Sequence, residues 1–279
     1  MVEWRSGDDV GDGRAGRQFY SLRDLEIRLE RESIVPPSLL IFHCSRCGST
    51  LLARLLEIDP ANRVFIEPGA LRDFLHANRM QLHLPELQRD LAILVRSYGL
   101  EPRVGEKRLI VKLNSVAVYS LAAFRAALPE VACAYLLRAP EEVAASLAHD
   151  TPPFLRAENR TALAEVIGAD AGAISRDTDA QWRSRYVEWN LRTAFTGAGA
   201  FSSVTDYRDY ATQFLRVACA WSDSPLSPDD PAVAETLSRD AKRPGMRFAP
   251  REDNNASARA ARTSACAYSR WRERLEQLE

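Results

Sequence analysis

The chain has 279 residues, 46% of them apolar, and a formal net charge of −1. That length supports one large domain or two small ones, with a core that needs no disulfide or structural metal. Near-neutral charge excludes a global field for nucleic acid or an anionic membrane, so any anion site must be local. No apolar run approaches the ~20 residues that span a bilayer, and residues 1–33 hold no signal-peptide core. Five cysteines without framework spacing predict reduced thiols and a cytoplasmic setting.

Residues 1–16, rich in Gly, Asp and Arg, read as disordered, and a charged amphipathic helix over 22–31 completes an N-terminal segment of 1–35. The apolar run Leu39-Leu40-Ile41-Phe42 predicts a buried strand, and Leu51, Leu52, Leu55 and Leu56 recur at helical spacing. Between them lies the tight polar segment His43 to Thr50. Val64-Phe65-Ile66 reads as a second strand ending at Glu67-Pro68. Residues 71–98 read as mostly helical, broken near Leu84-Pro85, and Leu109-Ile110-Val111 as a third strand ending in Lys112. A helix over 120–128, a strand over 132–137 ending in Arg138, and a helix started by Pro140 follow. Residues 150–180 have weak periodicity and read as an excursion over a site. A helix over 181–194 carries Trp182, Tyr186 and Trp189. A strand over 202–207, a helix over 211–221, a Pro/Ser/Asp loop over 224–231 and an Arg-rich stretch ending in a helix over 269–278 complete the chain. Alternating short buried strands and helices predict one three-layer α/β domain over 36–279, with a mainly parallel central sheet and helical excursions at 71–98 and 150–180.

The segment His43-Cys44-Ser45-Arg46-Cys47-Gly48-Ser49-Thr50 sits between a strand and a helix, where a phosphate-binding loop belongs. Gly48 lets backbone approach an anion. Ser49 and Thr50 open a helix whose N–H groups and dipole favour negative charge, with N-capping as their plainer role. The loop has Walker A length but carries His43 for the first Gly and Ser49 for the Lys, which argues against triphosphate chemistry. Arg46 offers a bidentate contact to phosphate or sulfate. Glu67, Lys112 and Arg138 stand at strand ends, the edge where open α/β sheets bind ligands.

Ser45-Arg46-Cys47-Gly48-Ser49-Thr50-Leu51-Leu52 resembles the 5′-phosphosulfate loop of sulfotransferases, with Cys47 in place of the usual Ser. Tyr135-Leu136-Leu137-Arg138-Ala139-Pro140, continued to Ser146 and Leu147, resembles that family's 3′-phosphate motif. Ile110-Val111-Lys112 and Val204-Thr205-Asp206-Tyr207 resemble two further family strands, the second followed by Tyr210 where a Leu is usual. The resemblance covers roughly 39–221 and implies a P-loop nucleoside-triphosphate-hydrolase-like fold. It also implies 3′-phosphoadenosine-5′-phosphosulfate as the sulfuryl donor, with no metal. Ser45, Arg46, Cys47, Gly48, Ser49 and Thr50 would hold the phosphosulfate, and Arg138, Ser146 and Tyr207 the nucleotide. Glu67 follows Arg46 by 21 positions. Tyrosylprotein and small bacterial sulfotransferases are similar in carrying a catalytic Glu there. The His of the cytosolic small-molecule branch is replaced by Asn114. The resemblance therefore implies Glu67 as general base and Lys112 and Arg46 as cations, with a small-molecule or peptide acceptor.

Plainer readings stand beside these: Glu67 as a surface or capping residue, Lys112 as a snorkelling lysine, and Trp182, Tyr186 and Trp189 as core. Cys44-x-x-Cys47 reads first as two small loop residues; a sharper reading, from their place at a helix N-terminus beside Arg46, expects lowered thiol pKa values and thiols that can oxidise to a disulfide blocking the loop. The arginines 243, 247, 251, 259 and 262 read as a solvated basic tail. The four histidines form no ligand cluster. A P-loop kinase of unusual loop sequence and a non-catalytic nucleotide- or partner-binding P-loop protein remain the alternatives.

Overall fold

The computed structural model describes residues 2–4, 18–168, 170, 172, 174, 176–208, 210–238 and 268–273, with side chains from residue 20 onward. Strands β1 (Val2–Trp4) and β2 (Gln18–Tyr20) pair antiparallel. The expected disorder of 1–16 thus gives way at residues 2–4, where Val and Trp suit a strand with Phe and Tyr opposite. Residues 5–17 lie outside the described residues.

Five strands build the central sheet: β3 (Pro37–His43), β4 (Asn62–Ile66), β5 (Arg108–Lys112), β6 (Ala132–Leu137) and β7 (Ser203–Asp206). Their order is β4-β5-β3-β6-β7 and every pairing is parallel. Leu39 to Phe42 are fully buried, as an apolar run covered on both faces must be. The described helices are α1 (Leu22–Arg31), α2 (Ser49–Leu56), α3 (Gly69–Ala77), α4 (Pro85–Ser97), α5 (Leu121–Ala127), α6 (Pro140–His149), α7 (Arg160–Ile167), α8 (Asp179–Thr196), α9 (Tyr210–Ala220), α10 (Pro231–Ser238) and a last one at 268–273.

From β3 the chain crosses through α2 toward β4, and from β5 through α5 toward β6 in the opposite direction. Right-handed crossovers therefore put α2 and α5 on opposite faces, which makes the three layers. Helices α9 and α10 join α2 on its face. On the other face Phe42 meets Phe124 edge-on, at 5.6 Å between centroids. The chain turns away from β3 in both directions, so a crevice opens at its carboxyl end. The loop 44–48 starts at that point.

The predicted loop over 224–231 runs on into α10. Asp230 Oδ1 accepts from the Ala232 amide at 2.8 Å, and Pro231 takes the first helical position. Dense Pro, Ser and Asp hid a helix start. Two arginines tie down the amino ends of the strands. Arg63 donates to the carbonyls of Leu100 and Glu101, both at 2.6 Å, and pairs with Glu106. Arg108 reaches Asn62 at 2.7 Å, Asp223 at 2.6 Å and Asp59 at 3.3 Å.

Candidate functional site

The carboxyl ends of β3, β4, β5 and β6 carry the side chains singled out in the sequence. Register sets Ile41 of β3 and Ile66 of β4 level with Lys112 of β5, and His43 level with Leu136 of β6. Beyond these pairs the ladder stops and the chain becomes irregular. Ser45 (φ 76°), Arg46 (φ 50°) and Glu67 (φ 50°) all lie in the left-handed region. Such a backbone costs ~1–3 kcal/mol per non-glycine residue and gathers at functional sites.

Gly48 is also left-handed, at φ 75°. A Cβ there would stand 2.7 Å from the Phe214 ring and 2.8 Å from the Tyr207 ring. The aromatic wall of β7 and α9 thus closes directly on the loop backbone, and only glycine fits. Gly48 is the N-cap of α2 and makes no side-chain capping bond. Ser49 and Thr50 are the first helical residues. The N-capping role predicted for them is therefore not theirs, and the start of α2 carries no side-chain cap. Ser49 is buried and Thr50 half-buried.

His43 holds the loop from below. Its Nδ1 accepts from the Ser45 amide at 3.0 Å, which leaves the proton on Nε2 to donate to the Leu113 carbonyl at 3.0 Å. Burial and the Lys112 charge push the His43 pKa down, so the ring is neutral. Cys44 and Cys47 are buried free thiols. Burial and the hydrogen bond with Cys47 push the Cys44 thiol well up. Burial raises Cys47 too, but the hydrogen bond with Cys44 and the charge of Lys112 prevail, holding it well below the ordinary thiol range. The predicted lowering of both thiols therefore holds for Cys47 alone; Cys44 lacks a cation strong enough to offset its burial.

Lys112 and Glu67, 45 residues apart in sequence, form an ion pair between Nζ and Oε1, and the Glu67 amide donates to the Lys112 carbonyl at 2.7 Å. Arg46 turns onto the end of α6, where it pairs with Asp150 Oδ2 at 2.6 Å and donates to the Asp150 carbonyl. Arg138 donates to Glu142 Oε2 at 2.5 Å and to the Arg46 carbonyl at 3.0 Å, and lies 4.3 Å above the Tyr207 ring. Burial raises the Tyr207 pKa, partly offset by Arg138. Tyr207 in turn stacks on Tyr210 at 5.1 Å. Ser146 is half-buried on α6, between Glu142 and Asp150. The predicted residues thus gather along one sheet edge, spread over five strand ends.

Three features carry almost no signal in the sequence. Asp150 and Glu142 are the carboxylates on the arginines. His43 is the prop of the loop. Asn190 of α8 lies fully buried behind it. Glu142 stood four residues from Arg138 as the only local clue. Trp182 and Tyr186 are buried in the core and Trp189 is half-buried, so the core reading of that trio holds. The arginines 243, 247, 251, 259 and 262, with Cys266, lie outside the described residues. Among the described residues no three His, Cys, Asp or Glu side chains group as metal ligands, and no helix is long and apolar enough to cross a membrane.

No protein-family model matches the sequence, and no curated protein matches it. Among solved structures the chain is similar to a sulfotransferase from Alicyclobacillus acidocaldarius, with 18% identity and a TM-score of 0.46 over 74% of this chain and 91% of that one. It is similar to a sulfotransferase from Mycobacterium avium at 14% identity and a TM-score of 0.47, over 92% and 80%. A sulfotransferase domain from the olefin synthase of Synechococcus PCC 7002 gives 14% and 0.42, over 84% and 96%.

Proposed function

We propose that the chain is a sulfotransferase that moves a sulfuryl group from 3′-phosphoadenosine-5′-phosphosulfate to a hydroxyl or amine of a small molecule or peptide, in a cytoplasmic setting and without a metal. The observation that carries this reading is the Glu67–Lys112 pair beside the Arg46 loop: a carboxylate and a buried ammonium at adjacent strand ends, next to an uncapped helix start. A further fit supports the donor. Arg46, Arg138 and Lys112 each hold a carboxylate, so each has the geometry to receive an anionic oxygen.

In this reading the α2 amides, Arg46, Ser49 and Thr50 bind the phosphosulfate, with Gly48 keeping the loop close. Arg138 and Ser146 bind the 3′-phosphate, and Tyr207 offers a face to the nucleotide. Glu67 takes the proton of the acceptor as the acceptor oxygen or nitrogen bonds to sulfur. The bond from sulfur to the bridging phosphate oxygen breaks, its electron pair stays on that oxygen, and Lys112 and Arg46 stabilise the charge. Donor binding draws Lys112 toward the leaving oxygen and releases Glu67 to act as a base.

Thermal shift with adenosine 3′,5′-bisphosphate, against ATP with Mg²⁺, is the first test. Stabilisation by the bisphosphate alone is expected. Stabilisation by ATP–Mg²⁺ alone would favour a kinase. Transfer of radiolabelled sulfate by the wild type, and its loss in Glu67→Ala, then separates an enzyme from a non-catalytic binder.

A further inference from the structure

The three cations of the site sit at the ends of three different strands: Lys112 is the last residue of β5 and of its ladder, whereas Arg46 and Arg138 lie past the ladder, in the loop after β3 and directly after β6. The last bonds of the ladder run from the Leu113 amide to Ile41 at 3.0 Å and from the Cys44 amide to Leu136 at 3.0 Å. Past that point something else must hold the loop after β3, the turn after β5 and the end of β6 in mutual register. One buried side chain touches all three. Asn190, in the middle of α8, donates from Nδ2 to the Ser115 carbonyl at 2.5 Å and to the His43 carbonyl at 3.4 Å. Its Oδ1 accepts from the Tyr135 hydroxyl at 2.7 Å. His43 is the residue from which the Arg46 loop springs, Ser115 follows Lys112 by three positions, and Tyr135 precedes Arg138 by three.

The chemistry of the contact is specific. Asparagine offers two N–H donors and an acceptor on one planar group, and here the donors meet carbonyls and the acceptor meets a hydroxyl. Aspartate has no donor for the carbonyls, and leucine has neither function. Asn190, Tyr135 and Tyr186 are fully buried, so no solvent replaces a lost partner. One turn earlier on α8, Tyr186 donates to Ser115 Oγ at 2.7 Å and doubles the hold on the turn after β5. The Tyr135 ring stacks on Trp271 at 5.5 Å, which keeps the hydroxyl aimed when the strand end moves.

We infer that Asn190, acting through Tyr135 and the His43 and Ser115 carbonyls, is the positioning residue that sets the distance between the sulfuryl-handling cations Arg46 and Lys112 and the nucleotide-holding Arg138. This inference rests on the sulfotransferase reading above. Neither Asn190 nor Tyr135 touches substrate in it; both act through the strand ends.

Two variants test it against a merely structural role. Tyr135→Phe keeps the ring and its stack and frees only the β6 end. Calorimetric affinities for adenosine 3′,5′-bisphosphate and adenosine 5′-monophosphate are compared as a ratio. In Tyr135→Phe the preference for the bisphosphate is expected to fall about fivefold, the equivalent of one net hydrogen bond, with 5′-monophosphate affinity unchanged. Asn190→Leu is expected to lower kcat about 100-fold at nearly unchanged KM for the donor, because a misplacement near 1 Å spoils in-line geometry more than binding. An unchanged ratio in folded Tyr135→Phe overturns the inference, whatever Asn190→Leu does. So does an equal loss for both nucleotides. A wild type that binds neither nucleotide overturns the sulfotransferase reading itself, and this inference with it.

Discussion

The two ends of the central sheet both carry arginines facing carboxylates, and they differ in how firmly each pair is held. At the amino end, Arg63 spends its donors on fixed backbone carbonyls and on Glu106, whose side chain is 9% exposed, and Arg108 holds both Asp59, 7% exposed, and the more open Asp223, at 38%, so that each arginine keeps at least one buried partner. At the carboxyl end the partners are open to solvent: Asp150 at 55%, Glu67 at 44% and Glu142 at 32%. A buried, multiply bonded pair cannot exchange its partner without loss, whereas a half-exposed one re-solvates the displaced carboxylate. The same residue types therefore clamp one edge and leave the other ready to swap anions.

Breaking the exchangeable edge at its reactive pair has the largest expected effect. Glu67→Gln keeps the size of the side chain and removes the proposed base, and turnover should fall about 10²- to 10⁴-fold with bisphosphate affinity retained. A variant with wild-type turnover would assign the base elsewhere. Breaking the clamped edge should touch stability instead. Arg63→Met strands Glu106 and three carbonyls, and denaturant midpoints should report a loss of about 3–5 kcal/mol. The folded fraction should still bind the bisphosphate like wild type; a selective loss of binding would erase the contrast between the edges.

Smaller effects sharpen the contrast. Asp150→Asn removes the carboxylate that competes for Arg46, so adenosine 3′,5′-bisphosphate should bind about two- to fivefold tighter, the scale of a partly exposed ion pair. Weaker binding would mean that Asp150 helps to build the site. The smallest effect lies in pH. His43 is held neutral in the fold by burial and by Lys112, with Cys47 and Glu67 acting the other way. Below about 6.5 the unfolded chain takes up a proton that the folded chain refuses. The stability contributed by neutral His43 is therefore complete above that pH and is lost as pH falls. Urea midpoints between pH 7 and 5 should decline, and the decline should flatten in His43→Gln.

The sheet was legible because three of its strands, β3, β5 and β6, are apolar runs buried on both faces and β4 carries a shorter apolar run at 64–66, and the cluster because its charged residues sit where those runs stop. Arg46, Glu67, Lys112 and Arg138 needed only that local signal. Asn190 had none. Its partners lie 55, 75 and 147 residues away, and an asparagine among aromatics on a helix has no periodic signature. In the sequence Asp150 reads as the start of an excursion, since nothing near it announces an arginine 104 residues earlier. The N-cap departs from the sequence expectation for a different reason. Serine and threonine are the usual caps, but the left-handed backbone and the rings of Tyr207 and Phe214 require glycine in that place.

The carboxylates at the carboxyl edge have a consequence in kinetics and selectivity. They are counterions tied to the chain, present at a high effective concentration that dilution never lowers. A lone chloride or acetate competes poorly with them, and the nearly cancelled charge of the site gives little long-range attraction, so association should vary only weakly with ionic strength. On the proposed function a ligand would enter by exchange, one oxygen for each tethered carboxylate. The edge thereby acts as a filter for polyanions, admitting molecules whose charged groups are spaced to relieve Asp150 and Glu142 together.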